Sequence, residues 1–139
     1  MATFTKFQSF VEKLAEKTHN LGSDTLKVML TLTAPSASAS NVKADLTEIT
    51  AGNGYTAGGT AASITSSAQT TGTYKLVLGD VLFTATGAVG PFRYVVLYND
   101  TATNKDLIGF YDYGSSLSLA SGDTFNVDFD PSTGVLTIA

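Results

Sequence analysis

The chain has 139 residues, 43% of them hydrophobic and only 14% charged, with a formal net charge of −4, one His and neither Cys nor Trp. That length fits one domain around one core, and the absence of Cys excludes a disulfide framework, a thiolate zinc site and a Cys nucleophile. The acidic balance argues against nucleic-acid binding, which draws on Lys and Arg at phosphates, and no apolar run approaches the roughly 18–20 residues of a membrane span.

Met1 to Lys17 interleave charged and apolar residues and so lack the apolar stretch of a signal peptide. The expectation is an acidic, soluble domain made inside a cell. In this opening segment Phe4, Phe7, Val11 and Leu14 recur at spacings of three and four, with Phe10 and Ala15 beside the stripe and Lys6, Glu12, Lys13, Glu16 and Lys17 off it. The spacing predicts an amphipathic helix of about four turns, capped by Thr3 and stopped at His19-Asn20-Leu21-Gly22. So short a helix is marginal alone in water, and its Phe-rich stripe has to be buried, either on its own domain or as an arm on a neighbouring subunit. The division expected is residues 1–22 as helix or arm and 23–139 as a β domain.

From Asp24 the period falls to two. Leu26, Val28, Leu30 and Leu32 alternate with Lys27, Met29, Thr31 and Thr33, predicting a strand with one apolar face. The stretch from Ala34 to Gly59 reads as small-residue loop, with a turn or two of helix over Asn41 to Ile49 and Tyr55 as the only aromatic anchor. Strands follow at Tyr74–Leu78 and Val81–Ala85, parted by Gly79-Asp80 as a hairpin turn or a bulge in one bent strand. Phe92–Tyr98 and Leu107–Tyr113 flank the polar loop Asn99–Asp106; Leu117–Leu119 adds a short strand; Thr124–Phe129 and Val135–Ile138 pair across a Pro-Gly turn. The fold class predicted is all-β, a β-sandwich or jelly-roll-like domain of seven to nine short antiparallel strands behind one N-terminal amphipathic α-helix.

Residues suited to chemistry are few. His19 lies at the expected helix end, where a cation is favoured, with no Ser or carboxylate at a recognised catalytic spacing. Asp123, Asp128 and Asp130 offer oxygen ligands for Ca²⁺ without an EF-hand loop, and alternation turns Asp128 away from Val127 and Phe129 towards solvent. The pairs Asp100 with Asp106, or Asp80 with Asp112, would need a cleft to act on glycosides, and nothing in the pattern predicts one. Gly52 to Gly59 lacks the Lys-Ser/Thr of a phosphate loop. No catalytic, cofactor or metal residue is therefore expected.

The aromatics carry more information. Phe92, Tyr94, Tyr98, Phe110, Tyr111 and Tyr113 fall on two neighbouring runs, and Val95 with Leu97 makes the second face of the first run apolar as well, as in a strand covered on both sides. Tyr residues that point outward suit a sugar platform or a subunit interface; inward ones suit cross-strand packing.

Gly54-Tyr55-Thr56-Ala57-Gly58-Gly59, Phe92–Asp100, Leu107–Gly114, Phe125–Asp130 and Gly134–Thr137, together with the Phe4-to-Gly22 helix, resemble a group of small structural proteins of tailed bacteriophages. The likeness covers nearly the whole chain and rests on scaffold motifs. It implies a virion component with no cofactor. The post it favours is a decoration (cement) protein on the capsid surface, assembled in the host cytoplasm, that binds and stabilises the finished head. A tail-associated structural or receptor/carbohydrate-binding module is the alternative. The partners implied are the major capsid protein and neighbouring copies of the chain, as a homo-oligomer and in one arrangement a trimer. The expected contact residues on this reading are Phe4, Phe7, Phe10, Val11 and Leu14 of the helix stripe and Tyr55 of the glycine-rich loop.

Overall fold

A computed structural model describes residues 2–139. In chain order it contains β1 (Thr5–Lys6), α1 (Gln8–Ala15), β2 (Leu26–Thr31), β3 (Thr60–Ala62) and β4 (Ile64–Thr70). There follow β5 (Thr73–Leu78), β6 (Val81–Thr84), β7 (Val89–Asn99), β8 (Leu107–Leu119), β9 (Thr124–Val127) and β10 (Leu136–Ile138). The chain is all-β apart from the one N-terminal α-helix and a 3₁₀ turn at Lys43–Asp45.

The runs richest in β-branched and aromatic residues form the middle of the molecule. β2, β7 and β8 lie side by side in a five-stranded antiparallel sheet of order β1-β8-β7-β2-β3. Val28 pairs with Leu97, Met29 with Val96 and Leu30 with Val95, so alternate residues feed two separate apolar layers. Leu26, Val28, Leu30, Val95, Leu97 and Ile108 face the larger core, with Leu76 and Leu78 from β5, Val81 and Phe83 from β6, and Val127 from β9. Met29, Val96, Tyr98 and Leu107 face the other way and are covered by Phe7 and Leu46. The polar face expected for β2 is thus corrected: Met29 and Thr31 are fully buried because the chain start and the 43–46 turn close over them. Leu32, expected inward, is 49% exposed because the strand ends at Thr31.

The remaining strands belong to two smaller sheets, β10-β5-β4 and β6-β9. Gly79-Asp80 is not a hairpin turn: it carries the chain from the first of these sheets to the second. A Cβ on Gly79 would lie 2.5 Å from the Ser63 hydroxyl, so any larger residue at this crossing would have to turn that hydroxyl aside. Nor do the last two strands pair with each other, since β9 joins β6 and β10 joins β5. Hairpins form at β7–β8, across the polar loop as expected, and at β4–β5, closed by Thr71-Gly72, both at positive φ as in a type I′ turn.

The N-terminal segment is shorter in helix than its periodicity predicts. Thr5 and Lys6 pair with Phe110 and Gly109 as an edge strand, leaving about two turns for α1. The helix starts after Phe7, without a side-chain cap, and not at Thr3. It ends at Ala15, with Glu16 as C-cap, well before His19–Gly22: the Thr18 N–H donates to the Lys13 carbonyl and the Lys17 N–H to that of Leu14, with Lys17 at φ 68°. That is a Schellman ending with lysine in the place glycine usually takes. Phe7 lies in the smaller apolar layer and Phe10 in the larger core, so the two rings straddle the sheet edge and bind the segment to its own domain.

Candidate ligand groove

Three of the six residues expected to touch a partner are consumed inside the chain. Phe7, Phe10 and Tyr55 are buried, Phe4 and Leu14 are half-buried, and only Val11 is largely exposed, at 52%. The physical reason is packing on both sides of the sheet edge, where Phe7 meets Phe110 with ring centres 5.1 Å apart and Phe10 meets His19 at the same distance.

Tyr55 anchors the glycine-rich loop from beneath. Its hydroxyl accepts from the Leu30 N–H (3.1 Å) and donates to Glu48 Oε1 (2.7 Å), which also accepts from the Gly58 N–H at 2.6 Å. Glu48 Oε2 is paired with Lys43 at 3.0 Å, and Tyr98 donates to the Gly58 carbonyl at 2.6 Å. Burial, chiefly, pushes both phenols up from their ordinary range. Every group in this network is spent on its neighbour. It fastens the loop to the main sheet.

His19 is buried, not at an exposed helix end. Asn99 accepts at Oδ1 from the Thr101 and Ala102 N–H groups (3.0 and 3.2 Å), which turns its amide nitrogen towards Asp24 Oδ2 (2.7 Å) and His19 Nδ1 (3.0 Å). His19 Nδ1 therefore accepts, the proton sits on Nε2, and that nitrogen is buried without a partner. Desolvation holds the imidazole below its usual pKa despite the pull of Asp106 and Asp24.

The acidic candidates are scattered over separate tasks. Asp100 pairs with Lys27 and Lys105, while Asp106 is buried beside it in the chain's main-chain ladder. Asp80 accepts from the Phe129 N–H, and Asp112 is gripped bidentately by Arg93 at 2.8 and 3.0 Å. Asp123 accepts from the Ala120 N–H in its turn. Asp130 accepts from the Ser132 N–H and the Thr133 hydroxyl, and those bonds hold its carboxyl below the usual range. Among the described residues, no group of three or more His, Asp or Glu is placed to hold a metal ion.

What the fold does assemble is an aromatic groove of about 510 Å³. Phe4 from the chain start, Tyr111 and Tyr113 from β8, and Phe125 from β9 line it, with Val95, Val127 and Val135 as apolar wall and Asp128 and Asp130 as its charged residues. The rings meet at angles: Phe4 and Tyr111 are 5.3 Å apart and tilted by 55°, Tyr113 and Phe125 5.8 Å apart at 72°. Gly109 opens the space that Phe4 fills, since a Cβ there would strike the ring. Burial alone raises the Tyr111 hydroxyl to about 12. The shared face of Tyr111 and Tyr113 is visible in the sequence as an i, i+2 pair, but Phe4 and Phe125 reach the site only through tertiary pairing. No protein-family model, curated protein or solved structure matches this chain.

Proposed function

We propose that this protein is a non-enzymatic structural component of a tailed-phage virion, most simply a decoration protein that adheres to the assembled capsid alongside copies of itself. The observation that carries the adhesive reading is the set of large apolar side chains left at the surface. Val11 (52%), Leu82 (57%) and Tyr113 (52%) project from elements held in place by buried neighbours. Single exposed apolar residues are ordinary, but a stiff scaffold presenting several of them, with its polar groups engaged internally, suits protein–protein contact better than turnover. The setting comes from the resemblance of the Gly54–Gly59, Phe92–Asp100, Leu107–Gly114, Phe125–Asp130 and Gly134–Thr137 segments to small structural proteins of tailed bacteriophages. A ligand that binds only the assembled shell stabilises it by mass action, and many copies on a symmetric lattice add avidity.

Fractionating infected-cell lysate on a density gradient tests the setting. The protein should travel with heads. Its recovery with free tails alone would move it to the tail, and its absence from every particle fraction would overturn the reading.

A further inference from the structure

The aromatic groove pairs apolar walls with two carboxylates, of which Asp130 has Lys75 nearby, bonded to the Ser132 carbonyl at 2.9 Å, while Asp128 stands at the exposed rim. Among the described residues that line it there is no Lys, Arg or His, whereas Asp128 is exposed at its rim and Asp130 stays ionised through its turn hydrogen bonds. Anionic ligands are therefore disfavoured there. A flat sugar platform also fits poorly, because the rings stand at 55° and 72° to one another as the walls of a corner. Such a corner, bordered by carboxylate, is the setting in which cation–π attraction and ion pairing act together.

The molecule shows elsewhere that cations fill such a setting: Lys43 lies 5.9 Å from the Tyr98 ring centre and pairs with Glu48 at 3.0 Å. The Arg93 guanidinium lies 5.4 Å from the Tyr94 ring centre and forks both oxygens of Asp112. A planar guanidinium satisfies an aromatic face and a carboxylate at once, which a compact ammonium does less well. The groove repeats the aromatic-plus-carboxylate half of that arrangement with the arginine missing.

We propose that the Phe4–Tyr111–Tyr113–Phe125 groove seats an arginine side chain presented by a partner polypeptide, with the rings as walls and Asp128 as counter-charge. This deepens the adhesive reading by naming the chemistry of the partner's contact. It is testable without any particle, so that failure at the groove and failure of particle association are separate results.

The test is an NMR titration of the ¹⁵N-labelled full chain with a Gly-Arg-Gly peptide, against its citrulline counterpart, choline and glucose. The arginine peptide should give saturable shifts confined to the groove, at residues 2–4, 95, 111–113, 125–130 and 133–135. Citrulline, isosteric but uncharged, should bind at least about fivefold more weakly, and added salt should weaken the arginine peptide. Asp128→Asn and Tyr113→Ala should each weaken it at least about threefold. Asp128 is exposed and Tyr113 half exposed, so both variants should keep the wild-type spectrum outside the groove. Absence of a saturable shift, equal binding of citrulline, tighter binding of choline or glucose, or indifference to both substitutions in folded protein would each overturn the proposal.

Discussion

Two residues show how local chemistry sets stability in this chain. The Tyr55 hydroxyl is both the acceptor for a buried Leu30 N–H and the donor to Glu48. Tyr55→Phe leaves the Leu30 N–H without its acceptor and removes one of the two donors to Glu48 Oε1, so it should lower unfolding free energy by about 1–3 kcal/mol, read from the urea midpoint at unchanged slope. His19 makes stability depend on pH with a definite sign. Its folded-state pKa is depressed, because burial removes water from the charged form and Asp106 and Asp24 offset that only in part. The unfolded chain therefore takes up a proton that the folded one resists. The stabilisation is complete above the ordinary value of 6.5 and is lost as pH falls below it. Urea unfolding of the wild type should show that loss below pH 6.5, and His19→Gln, which keeps an acceptor but cannot titrate, should flatten it.

Elements differ in how much their own residues specify. Thr71→Asn should stabilise the β4–β5 hairpin by about 0.5–1 kcal/mol, because Asn tolerates positive φ far better than a β-branched residue and Asn-Gly is the preferred type I′ pair. Thermal unfolding of that variant measures it. The hairpin was not legible beforehand, and the reason is physical. Ile64–Thr70 lies at a sheet edge with little burial, so its sequence, Ile-Thr-Ser-Ser-Ala-Gln-Thr, carries no apolar alternation. β2, the second half of β7 and the first residues of β8 are legible because two covered faces demand apolar residues at most of those positions. In the N-terminal segment the 3–4 spacing is real, but cross-strand hydrogen bonds to Gly109 and Phe110 claim Thr5 and Lys6. The same integration changes what a truncation does. Removing residues 2–15 deletes the edge strand and exposes the surfaces beneath Phe7 and Phe10, so the remainder should lose its cooperative thermal transition and not behave as an independent β domain.

At the scale of the whole molecule, one sheet covered on both faces organises everything else. Its larger core joins the two small sheets to it, its smaller layer is closed by Phe7 and Leu46, and its β8 edge carries the groove. The groove itself was illegible in the sequence because its rings come from positions 4, 111, 113 and 125, which only the β1–β8 pairing and the packing of β9 bring together. A scaffold of this kind, with apolar side chains presented outward from a stiff sheet, is what the proposed adhesive role would require. The most direct measurement is a binding titration of the purified full chain onto purified undecorated phage heads, with head melting followed in parallel. Saturable binding at a fixed number of copies per capsid, accompanied by a higher melting temperature of the shell, is the predicted result. Heads that bind none of the protein and melt unchanged at every concentration would contradict it.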